Sequence, residues 1–415
     1  MGTIGHISPG DTAFVLVSGA LVALMTPGLA FFYGGLVRRK NVLAIMMQSF
    51  IAMGVVTAIW VLGGFSLAFG RDIHGLIGNP LQYFALHNVG MAPNPAHGPT
   101  IPFLVFFGYQ EMFAIITPAL ITGAFADRVS FKAFLAFLVG WSLLVYIPFA
   151  HWIWGGGFLA QWGLVDFAGG IVVHLSAGIA ALASVIFVGR RKLAPGESTA
   201  PHNIAFVALG TGLLWFGWFG FNGGSALAAN GIAATAFVNT DIAGSVAMIT
   251  WLVVAWWREG KPTMTGALTG AVAGLATVTP AAGYVRPWAA VLIGLASALV
   301  CYAAVRFRMR RSLDDALDVW GVHGVGGFIG IVLTGAFAVA TVNGVKGAIQ
   351  GDWKQFGVQC AGAAITAVYS FVITMALLKV INVFTPVRVD EVVETKGLDQ
   401  ELHGETAYDL GGGAT

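Results

Sequence analysis

Two of the nine histidines, His174 and His323, fall inside long apolar runs, GGIVVHLSAG and WGVHGVGG. An ionisable side chain at membrane depth is costly and usually carries function. A neutral imidazole can accept a proton on one ring nitrogen while the other releases one, so two of them suit guidance of a small polar solute and relay of protons. For either histidine alone, a satisfied packing residue is an equal reading; one on each of two runs favours a shared site. Zinc wants three or four ligands, and neither histidine has the HExxH or CxxC company to supply them. No metal or other cofactor is expected, and a membrane enzyme would need more clustered reactive groups than these two.

The second constellation is aromatic. Phe113 lies in FGYQEMFAIIT, Trp154 in HWIWGGG, and Phe221 with Ser225 in GWFGFNGGS. Aromatic faces beside a hydroxyl can hold a small, partly dehydrated cation by cation–π attraction and hydrogen bonding. Singly, each aromatic reads as interface belt or core. Glu111 stands two residues before Phe113, a turn of about 200° on a helix, so it is expected to point away from whatever Phe113 lines.

The elements that must position these residues are membrane helices. The 415 residues are 57% apolar and 10% charged, where a soluble domain carries about 25% charge. With a mean hydropathy of +0.81, this excludes a typical soluble enzyme and a disordered chain. A net charge of +2 without a basic, aromatic-interleaved block gives no footing for nucleic acid. Cys301 and Cys360 sit in apolar runs as small hydrophobes, and the first ten residues lack the basic region of a cleavable signal peptide.

A spanning helix needs about 20 apolar residues. Eleven such runs are predicted, at 12–35, 41–69, 101–125, 131–150, 168–189, 203–222, 234–257, 264–283, 286–307, 319–340 and 356–386. Basic residues near span ends stay on the cytoplasmic side. Seventeen of the 21 Lys and Arg fall in six groups, at 38–40, 128–132, 190–192, 258–261, 306–311 and 379–396, each at or after an odd-numbered span. Only Arg71, Arg286, Lys346 and Lys354 lie in the opposite loops. The N-terminus is therefore expected outside and the C-terminus in the cytoplasm. Five plus five plus one spans permit an inverted repeat, for which the echo is faint: Asp166 then His174 on the fifth span, Asp318 then His323 on the tenth. Gly266, Gly270 and Gly274 on the eighth span, with Gly326 and Gly330 on the tenth, read as sites of close helix packing. Residues 1–386 form the transmembrane domain. The tail, 387–415, is acidic and solvated, with Asp390, Glu391, Glu394, Asp399, Glu401, Glu405 and Asp409.

The chain resembles the ammonium transporter family, with its methylammonium permeases and Rhesus proteins. DFAGGIVVHLSAG at 166–178 is similar to the family signature, joined by AHWIWGGG, PHNIAFVALGTGLLWFGWFGFNGGS, VTPAAGY, DVWGVHGVGG and GLDQELHGETAY in family order. The resemblance implies an all-α, eleven-helix homotrimer of the inner or plasma membrane, with an inverted five-helix repeat and one pore per subunit. Trp154, Ser225 and Phe113 would form an external ammonium recruitment site, Phe113 with Phe221 a stacked gate, and His174 with His323 the twin pore histidines. Asp166 would support the recruitment region without touching substrate, and Thr279 would lie near the pore. The implied function is ammonium uptake: NH4+ is deprotonated outside, NH3 crosses an apolar pore, and a proton is relayed separately. Methylammonium is a related solute. A sensor on the same fold and a passive NH3 gas channel are the rivals. The tail resembles a region that couples subunits and meets PII-type regulatory proteins.

Overall fold

The computed structural model describes residues 6–408. Seven helices long and apolar enough to cross a membrane come first: α1 Pro9–Leu36, α2 Arg39–Phe69, α3 Phe103–Ala124, α4 Phe131–Gln161, α5 Gly170–Val188, α6 Ile204–Gly224 and α7 Gly231–Glu259. A shorter apolar helix follows, α8 Met264–Val278, of 15 residues. Three more of spanning length complete the bundle: α9 Pro287–Arg310, α10 Trp320–Phe337 and α11 Trp353–Phe384. Ten of the eleven expected spans thus have the length of a crossing.

The eighth run, expected over 264–283, is helical only to Val278 for a local reason. Pro280 has no N–H to continue the ladder, so the helix stops there and residues 279–284 turn instead. Non-helical backbone at this depth needs internal partners. Asn239 of α7 supplies them, its Nδ2 donating to the carbonyls of Ala282 and Val285 at 2.8 Å each.

One face of the bundle, the loop face, carries residues 70–102. They fold into two small antiparallel hairpins, β1 Asp72–Ile73 with β2 Ile77–Gly78 and β3 Pro93–Asn94 with β4 Gly98–Pro102. The opposite, tail face carries the short helix α12, Glu391–Lys396, and a wide helical turn over Asp399–His403. Asp409, the last acidic residue of the expected tail, lies outside the described residues.

Helices touch backbone to backbone where small residues face each other. A Cβ on Gly270 or Gly274 of α8 would come within 2.5 Å of atoms of α7, and one on Gly330 of α10 would stand 2.3 Å from the carbonyl of Thr277. Gly326 faces the Thr277 hydroxyl, whereas a Cβ on Gly266 would meet Thr263 beside it at 2.8 Å and the Trp251 ring of α7 at an ordinary contact of 3.6 Å. A very tight crossing joins α5 and α10: a Cβ on Gly178 would sit 2.0 Å from the Gly324 nitrogen, and one on Gly327 would sit 2.7 Å from the Leu175 nitrogen. Both contacts flank a histidine.

Gly178→Ala is expected to force α5 and α10 apart and destabilise the protein by about 1–3 kcal/mol, as overpacking does. Gly212→Ala, a position with nothing within 4 Å, is the control. Thermal melting of the purified proteins checks the difference; equal midpoints for the two variants would show that the crossing is not tight.

Candidate functional site

The chain enters α5 through Gly169, whose φ of +113° is left-handed and whose Cβ would meet Val173 at 2.7 Å, so glycine is required there. Asp166 then caps the helix. Its Oδ1 accepts the N–H groups of Gly169 and Gly170 at 2.9 and 2.6 Å, and its Oδ2 those of Ile171 and Val172 at 2.7 and 3.2 Å. Four orphan donors and a positive helix end surround one buried carboxylate. The Asp166 carbonyl oxygen in turn accepts the Trp154 indole N–H at 2.9 Å, so the cap of α5 also fixes Trp154 where the regular part of α4 ends.

The histidine-bearing stretches are both π-helical, Gly170–Leu175 in α5 and Trp320–Gly324 in α10, a wide winding that recurs at functional sites. Counting back eight residues from His174 reaches Asp166; counting back eight from His323 reaches Asp315, not Asp318. Asp315 accepts the Trp320 N–H at 2.7 Å on the tail face, as Asp166 accepts N–H groups on the loop face. The expected echo of Asp166 in Asp318 is therefore corrected to Asp315. Asp318, next in line, has a φ of +60° and pairs instead with Arg308 at 2.5 Å.

Seen from the loop face, the named side chains form a column. Trp154 and Ser225 line an outer chamber of about 260 Å³. Phe113 meets Trp154 edge to face, with ring centroids 5.9 Å apart, and lies over Phe221 at 4.2 Å with 32° between the ring planes. Both phenylalanines are 1% exposed, so the pair closes the column. Beneath it the His174 ring lies nearly parallel to Phe221 at 5.9 Å, to Trp218 at 5.4 Å and to His323 at 5.3 Å. The Nδ1 atoms of the two histidines are 3.3 Å apart. Two facing Nδ1 atoms form a hydrogen bond only if one carries hydrogen and the other a lone pair, so the neutral pair holds opposite tautomers. A cavity of about 10 Å³ lies beside the histidines, room for one water-sized molecule, walled by apolar residues such as Met25, Ile116 and Leu214.

Several positioning groups were not singled out in the sequence. The Tyr109 hydroxyl lies 3.0 and 2.9 Å from the carbonyls of Gly220 and Phe221 and 3.2 Å from Ser225 Oγ, while its ring packs edge-on to Phe113 at 5.0 Å. Ser225 Oγ donates to the Phe221 carbonyl at 2.9 Å, which leaves its lone pairs available as acceptors. Thr279 does not line the cavity; it accepts the Trp218 indole N–H at 2.9 Å and so holds the ring that stacks on His174. Tyr109 is one helical turn before Phe113, and Trp218 is three residues before Phe221, a spacing that puts each pair on one helix face. Glu111 is buried beside Thr57 of α2 and lines neither chamber nor cavity, in line with its expected direction. Among the described residues, no three His, Cys, Asp or Glu side chains gather as metal ligands.

On the tail face, charges are buried in pairs. Asp127 receives Arg38 at 3.0 Å and Arg191 at 3.2 Å, and Arg191 reaches Asp314 at 2.8 Å. Burial alone would push Asp314 up, but the hydrogen bonds and charge of Arg191, with Arg128 beside it, pull it down to about 2. Asp315 goes the other way: burial and then Asp318 push it up to about 6, against the pull of Arg308. The tail is stitched to this layer. Arg388 pairs with Glu394 at 2.8 Å and donates to the carbonyls of Val188 and Arg190. Asp399 accepts the N–H groups of Leu43 and Ala44 at the start of α2, at 3.0 and 2.8 Å, and Tyr408 meets His202 at 2.8 Å.

Residues 13–408 match the model of the Ammonium Transporter Family. The chain belongs to that family. It is 46% identical over 403 residues to the ammonium transporter of Bacillus subtilis (strain 168), covering 96% of this chain and 98% of that one. It is 44% identical over 402 residues to the ammonium transporter Amt1 of Archaeoglobus fulgidus, covering 97% and 100%. The crystal structure of Mep2 from Candida albicans superposes with a TM-score of 0.87 at 37% identity, over 93% of this chain and 88% of that one. A solved sensor Amt protein superposes with a TM-score of 0.86 at 30% identity, over 94% and 97%. This ammonium transporter family member is thus a helical protein of many membrane spans.

Because Asp315 has a native value above its unfolded one, folding favours its protonated form, and that contribution fades as pH rises through about 6. Asp315→Asn keeps an acceptor for the Trp320 N–H and cannot ionise. Its melting midpoint relative to wild type is expected to rise between pH of about 4.5 and about 7.5. A difference that stays flat across that range would contradict the buried, protonatable carboxyl.

Proposed function

We propose that this protein imports ammonium by separating it into NH3 and a proton. The observation that supports this most directly is the histidine pair, Nδ1 to Nδ1 at 3.3 Å, beside a cavity that admits one water-sized molecule and is otherwise apolar. NH4+ and K+ carry the same charge at similar size, so a pore open to one hydrated cation would pass both. Stripping either ion bare in an apolar passage costs many kcal/mol. Ammonium alone can lose a proton and enter as a neutral molecule; K+ has none to give.

With the C-terminus in the cytoplasm, as the basic residues indicate, the loop face is external and Trp154, Ser225 and Phe113 recruit NH4+. Ring faces attract the cation, and Ser225 Oγ accepts one of its N–H groups. NH3 then passes when the Phe113–Phe221 stack parts. The histidines can carry the proton separately. His174 Nε2 is buried without a partner. A proton arriving there drives the Nδ1 hydrogen of His174 onto His323 Nδ1, and His323 releases its Nε2 hydrogen towards the tail face. One proton enters and one leaves, with the tautomers exchanged. If charge crosses with the solute, a membrane potential contributes about 2.3 kcal/mol per 100 mV to uptake.

The assembly we infer is a homotrimer in the inner or plasma membrane, in which the 387–415 tail couples subunits and offers a surface to a PII-type regulatory protein; methylammonium is a candidate second solute. A sensing role is a second reading favoured by the likeness to the sensor Amt protein, whose fold is shared over nearly the whole chain.

Ammonium pulses on proteoliposomes are expected to evoke current, with K+ evoking none. His174→Ala and His323→Ala should each lower the ammonium current by about a hundredfold, the scale of losing a positioned acid–base group. Currents unchanged in His174→Ala would exclude the relay; uptake of NH3 with no current in wild type would select the gas channel.

A further inference from the structure

The outer chamber presents a side chain that the reading above leaves unused. Gln110 lies on α3 three residues before Phe113 and four after Phe106, so the three follow one helix face towards the loop face. It lines the same 260 Å³ chamber as Trp154 and Ser225. It is 9% exposed, and its amide oxygen is buried with no donor. A buried acceptor left unpaired costs free energy, whereas one met by a charged donor gains it.

We propose that Gln110 is a further substrate-contacting residue of the external site, its Oε1 accepting an N–H of the ammonium ion. The proposal rests on the transport reading and identifies a second directional acceptor within it. NH4+ has four N–H groups to satisfy when it leaves water, and ring faces offer attraction without a lone pair at a fixed angle. Most side chains around the chamber, including Phe106, Ile153, Phe167 and Leu227, offer no oxygen or nitrogen acceptor. Trp154 has only a donor, already engaged with the Asp166 carbonyl. His97 donates its Nε2–H to the Phe69 carbonyl at 3.1 Å and stacks on Phe106 at 5.3 Å, which leaves its Nδ1 as a nitrogen acceptor. Ser225 Oγ and Gln110 Oε1 are the oxygen acceptors among the lining side chains, held at the C-terminal end of α6 and on α3, the helices that carry Phe221 and Phe113. An ion clasped between them sits directly above the aromatic stack.

Gln110→Leu removes the acceptor in a shorter apolar side chain, and Gln110→Glu keeps it. In ammonium-evoked currents on proteoliposomes, Gln110→Leu is expected to raise the half-saturating concentration about tenfold or more, as for loss of a hydrogen bond to a charged group, with maximal current within about a factor of two. Gln110→Glu should half-saturate at or below the wild-type concentration. Gln110→Met repeats the removal with a flexible chain, so that the measurement does not depend on one variant folding. A wild type that responds while Gln110→Leu and Gln110→Met half-saturate with it would overturn the role of Gln110 alone. Equal impairment of the Leu and Glu variants would also overturn it, pointing to packing. A wild type silent to ammonium would overturn the proposal together with the transport reading.

Discussion

Everything at the centre of this molecule depends on two helices crossing with no side chain between them. At Gly178 and Gly324 the backbones of α5 and α10 are so close that a single methyl group has no room. In lipid there is no hydrophobic drive to bring helices together, so van der Waals contact over small residues must supply the association. The crossing sits four residues beyond His174 and one beyond His323, and it is this closeness that lets the two imidazoles share a hydrogen bond. A wider crossing would leave two separate buried polar groups, each unpaired and each costly. The same contact therefore packs the protein and creates its polar interior.

The two helices are also begun in the same way from opposite faces. Asp166 and Asp315 each precede a π-helical stretch, and each accepts backbone N–H groups at its start. The likeness ends at their surroundings. Asp166 is ringed by four N–H donors, while Asp315 shares its site with Asp318 and Arg308. One helix starts facing the aromatic chamber; the other opens onto a face crowded with arginine.

Much of the architecture was legible because apolar runs are long and basic residues alternate, so span positions follow from counting. All eleven expected runs carry helix, and ten have spanning length. The eighth escaped because hydropathy cannot see that Pro280 ends a helix while the chain stays buried. In the site, His174, His323, Phe113, Phe221 and Trp154 could be named from residue type, and the structure gathers them into one column. Thr279 was expected near the pore but acts one layer back, through Trp218, because its hydroxyl points at an indole rather than at the cavity. Asp315 was overlooked in favour of Asp318, which is nearer the tenth span; the matching interval of eight residues was the better signal. Tyr109 and Gln110 gave no signal in isolation: the tyrosine becomes informative only when the carbonyls of Gly220 and Phe221 are found at its hydroxyl, and the glutamine only when the chamber it lines is known.

The tail changes composition at residue 387, yet hydrogen bonds disregard that boundary. Two N–H groups at the start of α2 find their acceptor in Asp399, and the Lys192 N–H finds its acceptor in Glu394. Those donors belong to α2 and to the loop after α5, and their acceptors belong to the tail. Cutting the chain at the composition boundary would thus leave the remaining helices with unmet donors of their own. A shortened protein is a differently capped bundle, and any change in its behaviour includes the response of α2 to losing the end of its own helix.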